Sequence, residues 1–208
     1  MATTEKFLIN PTNEFHVLRH FEFVDDLYKE SLINKPYWYY DYSQKKYILT
    51  HISKNDIEYA LETIGTKFYK NIEGIENPKK LLELIREKFV ELISESKIRW
   101  TLDGENRVAK FTINHNYAVG MTNVLSINNL TKSDKDKIKS VARSRCLGEN
   151  KVTVNTISGI ELPFTSTIYV EIIETTQIPF YVMTAFPDCS VLDDSSDNIS
   201  DDDLVFVV

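Results

Sequence analysis

The sequence predicts an α+β fold in which N-terminal helices precede a mainly antiparallel sheet with one inserted helix. Three observations carry this. Asn77-Pro78 opens a stretch in which Leu81, Leu84, Ile85, Phe89, Leu92 and Ile93 recur at helical spacing. Past Ile98 the pattern shortens, and Asp103-Gly104-Glu105-Asn106 between two apolar runs reads as a hairpin turn. In Thr167–Glu174, Ile168, Val170 and Ile172 alternate with Thr167, Tyr169 and Glu171, as a half-buried strand requires.

In chain order, Glu14 to about Leu32 reads as one helix, with Val17, Leu18, Phe21, Val24 and Tyr28 on its apolar face; Asn34 and Pro36 end it. Tyr37-Trp38-Tyr39-Tyr40-Asp41-Tyr42 and Lys45-Lys46-Tyr47-Ile48-Leu49 read as paired strands or an extended loop. Ser53 with Asp56 caps a short helix bearing Ile57, Ala60, Leu61 and Ile64, stopped by Gly65. Ile98–Leu102 and Arg107–Ile113 form the hairpin, and Tyr117–Ile127 a third strand. Ser133-Asp134-Lys135-Asp136 caps the inserted helix, residues 133–147, closed by Gly148. Lys151–Ile157, Thr167–Glu174 and Ile178–Thr184 complete the sheet, which Pro187 ends. The expected organisation is a helical part with an aromatic strand or loop segment over 1–97, a sheet domain over 98–187 and an acidic, solvated tail over 188–208.

Composition narrows the function classes. Of 208 residues, 42% are apolar and 26% charged, enough to bury a core. No apolar run approaches the roughly 20 residues of a membrane span, so no membrane partner is expected. The first residues carry no secretory pattern, and Cys146 with Cys189 make neither a disulfide framework nor a zinc site, so a reducing, cytoplasmic location is the simpler expectation. The net charge is −7, from 24 basic and 31 acidic residues. Asp188, Asp193, Asp194, Asp197, Asp201, Asp202 and Asp203 account for the excess, so residues 1–187 are neutral. The tail closes on Leu204-Val205-Phe206-Val207-Val208, an apolar tip that needs a surface to dock on.

There is no G-x-G-x-x-G, P-loop or H-E-x-x-H run, so no cofactor and no metal are expected. His16 and His20, four apart, can share a helix face as two metal ligands, but no third ligand is specified, and surface or half-buried histidines are the simpler reading. Trp38, Tyr39, Tyr40 and Tyr42 with Lys45 and Lys46 can stack bases and hold phosphates, or simply line a core strand and a hairpin surface. His115, in Asn114-His115-Asn116-Tyr117 just after a strand, can face a cleft and titrate near neutral pH, or hydrogen-bond within its turn. Arg143 and Arg145 can bind phosphate or simply complement the end of the inserted helix. The Thr184 hydroxyl ends the last strand, where it can hold a phosphate oxygen or satisfy an amide.

The sheet-rich half, with His115 near its start and Val182-Met183-Thr184-Ala185-Phe186-Pro187 at its close, resembles the barnase–EndoU–colicin–RelE-like superfamily of small ribonucleases, several families of which end the last core strand in T-A-[YF]-P. The resemblance covers about Ile98 to Pro187 and includes bacterial toxins and phage-encoded proteins. It implies metal-independent cleavage of RNA, tRNA among the targets, by attack of the ribose 2′-hydroxyl on the adjacent phosphate. In that scheme His115 is the general acid or base, Thr184 positions the phosphate, and Arg145, or Arg143 in its place, offsets the developing charge. Thr165 and Ser166 add hydroxyl contacts to substrate, and His51 is the remaining source of a second histidine. The alternative is a non-catalytic interaction protein, such as an inhibitor or phage accessory factor, that binds a protein partner through the acidic tail. A third reading, a single-stranded nucleic-acid binder, rests on the aromatic cluster and the Asp201–Phe206 tip.

Overall fold

The computed structural model describes residues 6–41, 43–63, 66–122, 124–126, 130–133, 144–146, 151–154, 162–175 and 180–188. Their fold is α+β. Four helices, α1 (Pro11–Leu18), α2 (Asp26–Leu32), α3 (Lys54–Glu62) and α4 (Pro78–Ser94), precede the main sheet. Between α2 and α3 stands a hairpin of β1 (Pro36–Asp41) and β2 (Lys46–His51). The main sheet is antiparallel throughout, in the order β11 (Tyr181–Pro187), β10 (Thr167–Glu174), β4 (Asn106–Asn114), β3 (Trp100–Asp103). Two smaller antiparallel groups complete it: β5 (Gly120–Met121) with β9 (Phe164–Thr165), and β8 (Lys151–Val154) between β6 (Val124–Ser126) and β7 (Ser144–Cys146).

Local chemistry fixes the helix starts. The Asn10 side chain accepts the Asn13 amide and caps α1, with Pro11 in the first turn. Ser53 and Asp56 form the expected capping box of α3. Asn77 accepts the Lys80 amide and opens α4. The single helix expected from Glu14 to Leu32 is instead two. The Asp25 carboxylate accepts the Tyr28 amide and starts a new helix. Before it, the chain is drawn out so that Phe68 N–H reaches the His20 carbonyl and Glu22 N–H the Phe68 carbonyl. Two backbone bonds to a distant segment outweigh helix continuity here, yet Val17, Leu18, Phe21, Val24 and Tyr28 are buried all the same.

One core joins helices and sheet. The stripe of α4 puts Leu81, Leu82, Ile85 and Phe89 fully out of water against Ala109, Phe111, Ile113, Ile168, Val170 and Ile172. Phe89 is its aromatic hub, with ring centroids of Phe180 at 4.9 Å, Phe7 at 6.0 Å, and Trp100 and Phe111 each at 6.1 Å. The cluster spans both sides of the 97/98 boundary, with Val17, Phe21 and Ile57 in the same apolar interior as Val182 and Ala185.

Strand β11 is the sheet edge, and α1 closes it. An open edge exposes unpaired backbone groups. Here the Asn13 side chain, itself fully buried, donates Nδ2–H to the Val182 carbonyl (2.8 Å) and accepts the Val182 N–H on Oδ1 (3.2 Å). One amide thus does for one residue what a further strand would do. Leu8 N–H continues the cover by donating to the Phe180 carbonyl (2.9 Å).

Two further expectations change. The helix expected over 133–147 does not reach its end, because Ser144–Cys146 pair with Val152–Val154 as strand β7; Lys132 and Ser133 are helical and the stretch 134–143 lies outside the described residues. The tail does not begin at Asp188. That residue is buried, its carboxylate accepting the Thr122 hydroxyl (3.2 Å) and its N–H donating to the Thr167 carbonyl (2.9 Å). Residues 189–208, with the acidic run and apolar tip, lie outside the described residues.

Replacing Asn13 with Leu keeps the branched shape, adds some bulk, and strands a buried N–H and C=O. Urea titration should give a loss of about 2–4 kcal/mol, well above that of an exposed Asn. Gly120 offers a second test, since a Cβ there would lie 2.4 Å from the Lys67 carbonyl oxygen and 2.5 Å from Pro187. Gly120→Ala should cost about 1–3 kcal/mol by overpacking on the same titration.

Candidate functional site

The residues expected to act together fall at two places. The sheet register pairs Glu171 with both Lys110 and Thr184. His115 follows β4 five residues past Lys110, so it stands roughly 16 Å further along the strand direction than Thr184 and two strands away.

At the His115 end the ring is held by its own neighbourhood. Tyr117 N–H donates to Nδ1 (3.3 Å), which leaves the proton on Nε2, and Nε2–H donates to the Glu73 carbonyl (3.2 Å). His115 N–H donates to the Ser166 carbonyl (2.8 Å), so His115 and Ser166 are neighbours. Thr165 is near them but buried. Its hydroxyl donates to the Asp188 carbonyl (2.7 Å) and accepts the Thr167 N–H (3.1 Å), which leaves it a structural link. Arg145 lies on β7, its side chain outside the described residues, as is all of Arg143.

Thr184 meets a different histidine. The pairing of β10 with β11 slips between Glu171 and Ile172, whose partners are Thr184 and Val182. Met183 is the extra residue of a β-bulge, which turns its carbonyl outward. His16 of α1 donates to that carbonyl. One turn on, His20 stands over the outer face of β11, its ring 5.6 Å from that of Phe186. His20 Nδ1 lies 3.4 Å from the Thr66 carbonyl, which can only accept, so Nδ1 carries the proton. Nε2 is then a free lone pair, and the Thr184 hydroxyl donates to it at 3.4 Å. A hydroxyl, an imidazole and an orienting carbonyl thus stand in sequence, the order in which an acid–base pair is built.

The electrostatics keep this imidazole neutral. Burial, then the nearby Arg19, His16 and Lys67 charges, outweigh the Thr66 hydrogen bond and push the His20 pKa down to about 3. Burial and Arg19 likewise lower His16 despite its bond to Met183. No carboxylate is among the groups acting on either ring. Lys67 spends its ammonium on three carbonyls, those of Arg19, Ala60 and Leu61. Arg19 is exposed and forms no ion pair with a described residue, so its guanidinium remains available to an anion. As metal ligands, His16 and His20 find no third group: no cluster of three His, Cys, Asp or Glu side chains occurs among the described residues. No described helix is long and apolar enough to cross a membrane.

Of the aromatic cluster, Trp38, Tyr39 and Tyr40 are exposed rather than core, and Tyr42 lies outside the described residues. Cross-strand partners Pro36–His51, Trp38–Leu49 and Tyr40–Tyr47 share one face of the β1–β2 hairpin, and all six are exposed. The other face leans on the body through Tyr37, whose ring lies 4.7 Å from that of Phe15. Of the candidate positions, the pairing of His20 with Thr184 is what the sequence concealed, because they are 164 positions apart and no spacing rule connects them.

No protein-family model, curated protein or solved structure matches the chain.

The depressed histidines set a pH dependence. Their pKa values in the unfolded chain are near 6.5 and lower in the fold, so between about pH 6.5 and 3 the unfolded chain binds more protons. Their contribution is complete above about pH 6.5 and is lost as pH falls towards 3. Between about pH 7 and 5, before the exposed carboxylates titrate, His20 alone should remove on the order of 1–2 kcal/mol, discounted for its partial exposure. Chemical denaturation at the two pH values should show this loss, and His20→Gln should flatten it.

Proposed function

We propose that the chain cleaves RNA without a metal, using the His20–Thr184 pair as its reacting site. The observation that carries this reading is the unprotonated Nε2 of His20 aimed at the Thr184 hydroxyl, beside an uncommitted Arg19. The expected T-A-F-P strand also forms, as β11, the last strand of an antiparallel sheet.

The chemistry follows from the groups present. A neutral imidazole accepts the proton of a ribose 2′-hydroxyl as its oxygen bonds to phosphorus. The bond from phosphorus to the 5′ oxygen breaks, that oxygen takes a proton from solvent, and a 2′,3′-cyclic phosphate remains. The Thr184 hydroxyl, released from Nε2, donates to a non-bridging oxygen, and the Arg19 guanidinium offsets the charge gathering there. An arriving phosphate raises the His20 pKa towards the working range of a general base, because it supplies the anion the resting site lacks. The long 3.4 Å contacts on both sides of the ring leave room for that exchange. In this assignment the acid–base role falls to His20 rather than to His115, both of whose nitrogens are engaged with backbone.

The test is incubation of the full chain with total RNA and tRNA in EDTA. Cleavage should leave cyclic phosphate ends, fall about 10²–10⁴-fold in His20→Ala, fall further behind in Thr184→Ala than in Thr184→Ser, and persist in His115→Ala. No cleavage by the wild-type chain, or cleavage lost in His115→Ala and kept in His20→Ala, contradicts the proposal.

A further inference from the structure

The hairpin is the largest feature the proposed reaction leaves unused. A two-stranded ribbon with water on one side ordinarily shows polar side chains there. This one shows Trp38 at 53% exposure, Tyr40 at 39%, Tyr47 at 61% and Leu49 at 48%, in two adjacent cross-strand rows. The Tyr40 and Tyr47 rings pack edge to face at 5.2 Å, which fixes them as a platform rather than as independent side chains. Along β1 the rings of Trp38 and Tyr40 recur every second residue, about 6.6 Å apart.

Its charge points to the occupant. Between positions 35 and 51 the chain carries Lys35, Lys45 and Lys46 against Asp41, a surplus of two positive charges in a protein whose net charge is −7. The one acid is spent: the Asp41 carboxylate accepts from Ser43 N–H and Oγ–H and from both the backbone and side-chain N–H groups of Gln44. Lys35 lies at one end of the hairpin and Lys45 in the turn at the other, both exposed, whereas Lys46 pairs with Asp41 on the opposite face. Flat apolar rings flanked by ammonium groups that form no ion pair with a described residue match a ligand with exposed flat bases and a phosphate backbone. A duplex hides its base faces, so the match is to a single strand.

We infer that the outer face of the β1–β2 hairpin binds single-stranded RNA, with bases stacked on Trp38, Tyr40 and Tyr47 and phosphates held by Lys35 and Lys45 at its two ends. The inference adds a binding surface to the RNA-directed function and holds with or without cleavage at His20.

The test uses the full chain and a fluorescein-labelled 2′-O-methyl oligouridine of about 12 nucleotides, which lacks the free 2′-hydroxyl and cannot be cut by the proposed reaction. Fluorescence anisotropy should show salt-dependent binding, weakened about 5- to 150-fold by Trp38→Ala or Tyr47→Ala, in line with loss of one stacked base. Lys45→Gln should lower the salt slope by about 0.7, and His20→Ala should bind as the wild type does. Circular dichroism of each variant guards against misfolding, and Trp38→Phe, which keeps a ring, should retain most of the affinity. Absence of binding, equal binding of a duplex of the same length, or unchanged affinity in Trp38→Ala and Tyr47→Ala would overturn the inference. So would variants that alter sedimentation of the chain but not RNA affinity, since the face would then join copies of the chain. Binding without cleavage would refute the reaction at His20 and leave this surface standing; cleavage without binding would do the reverse.

Discussion

A single buried carboxamide closes the fold. The main sheet ends at β11, and the outward N–H and C=O of Val182 would be stranded in the protein interior without Asn13. Because Asn13 sits in the first turn of α1, satisfying Val182 fixes the axial position and rotation of that helix against the strand. His16 and His20, about one and two turns further along the chain, are thereby set over Met183 and Thr184. The constraint is strict because a lost partner leaves two buried backbone groups unpaired, which costs more than either hydrogen bond contributes on its own.

That constraint and the bulge at Met183 work together. Without the bulge, the edge carbonyls of β11 would continue in regular alternation and the run after Val182 would shift by one residue, changing the face on which Thr184 lies. The extra residue gives His16 a carbonyl to hold and keeps the Thr184 hydroxyl on the outer face with Phe186, beneath the His20 ring. Dry surroundings and the surplus of cations near the two rings then select their neutral forms. Packing at the edge thus determines protonation at the candidate site.

Much of the fold was legible locally. The capping box at Ser53, the Asn77-Pro78 start, the Gly104 turn and the alternation of Ile168, Val170 and Ile172 are short-range patterns, and each forms as its residues require. The break in the first helix was not legible, because it is made by backbone bonds to Phe68, some 46 residues downstream of Glu22. The face chosen by Trp38, Tyr40 and Tyr47 was equally hidden. Strand periodicity puts them together but does not say which side meets the core, and Tyr37 packing on Phe15 decides it. The candidate site depended most on distant contact: Thr184 stands out in its strand-end run, whereas His20 acquires its role only when α1 lies on β11.

The central claim is that α1, docked through Asn13, holds a neutral His20 with its proton on Nδ1 and its Nε2 against Thr184. The most direct measurement is a long-range ¹H–¹⁵N spectrum of the histidine side chains in the full chain, followed from about pH 7 to 5. The account predicts that His20 shows the Nδ1–H tautomer and does not titrate in this range, and that Asn13→Leu releases it to titrate near the ordinary 6.5. A His20 that carries its proton on Nε2, or that titrates near 6.5 in the wild-type chain, would contradict it.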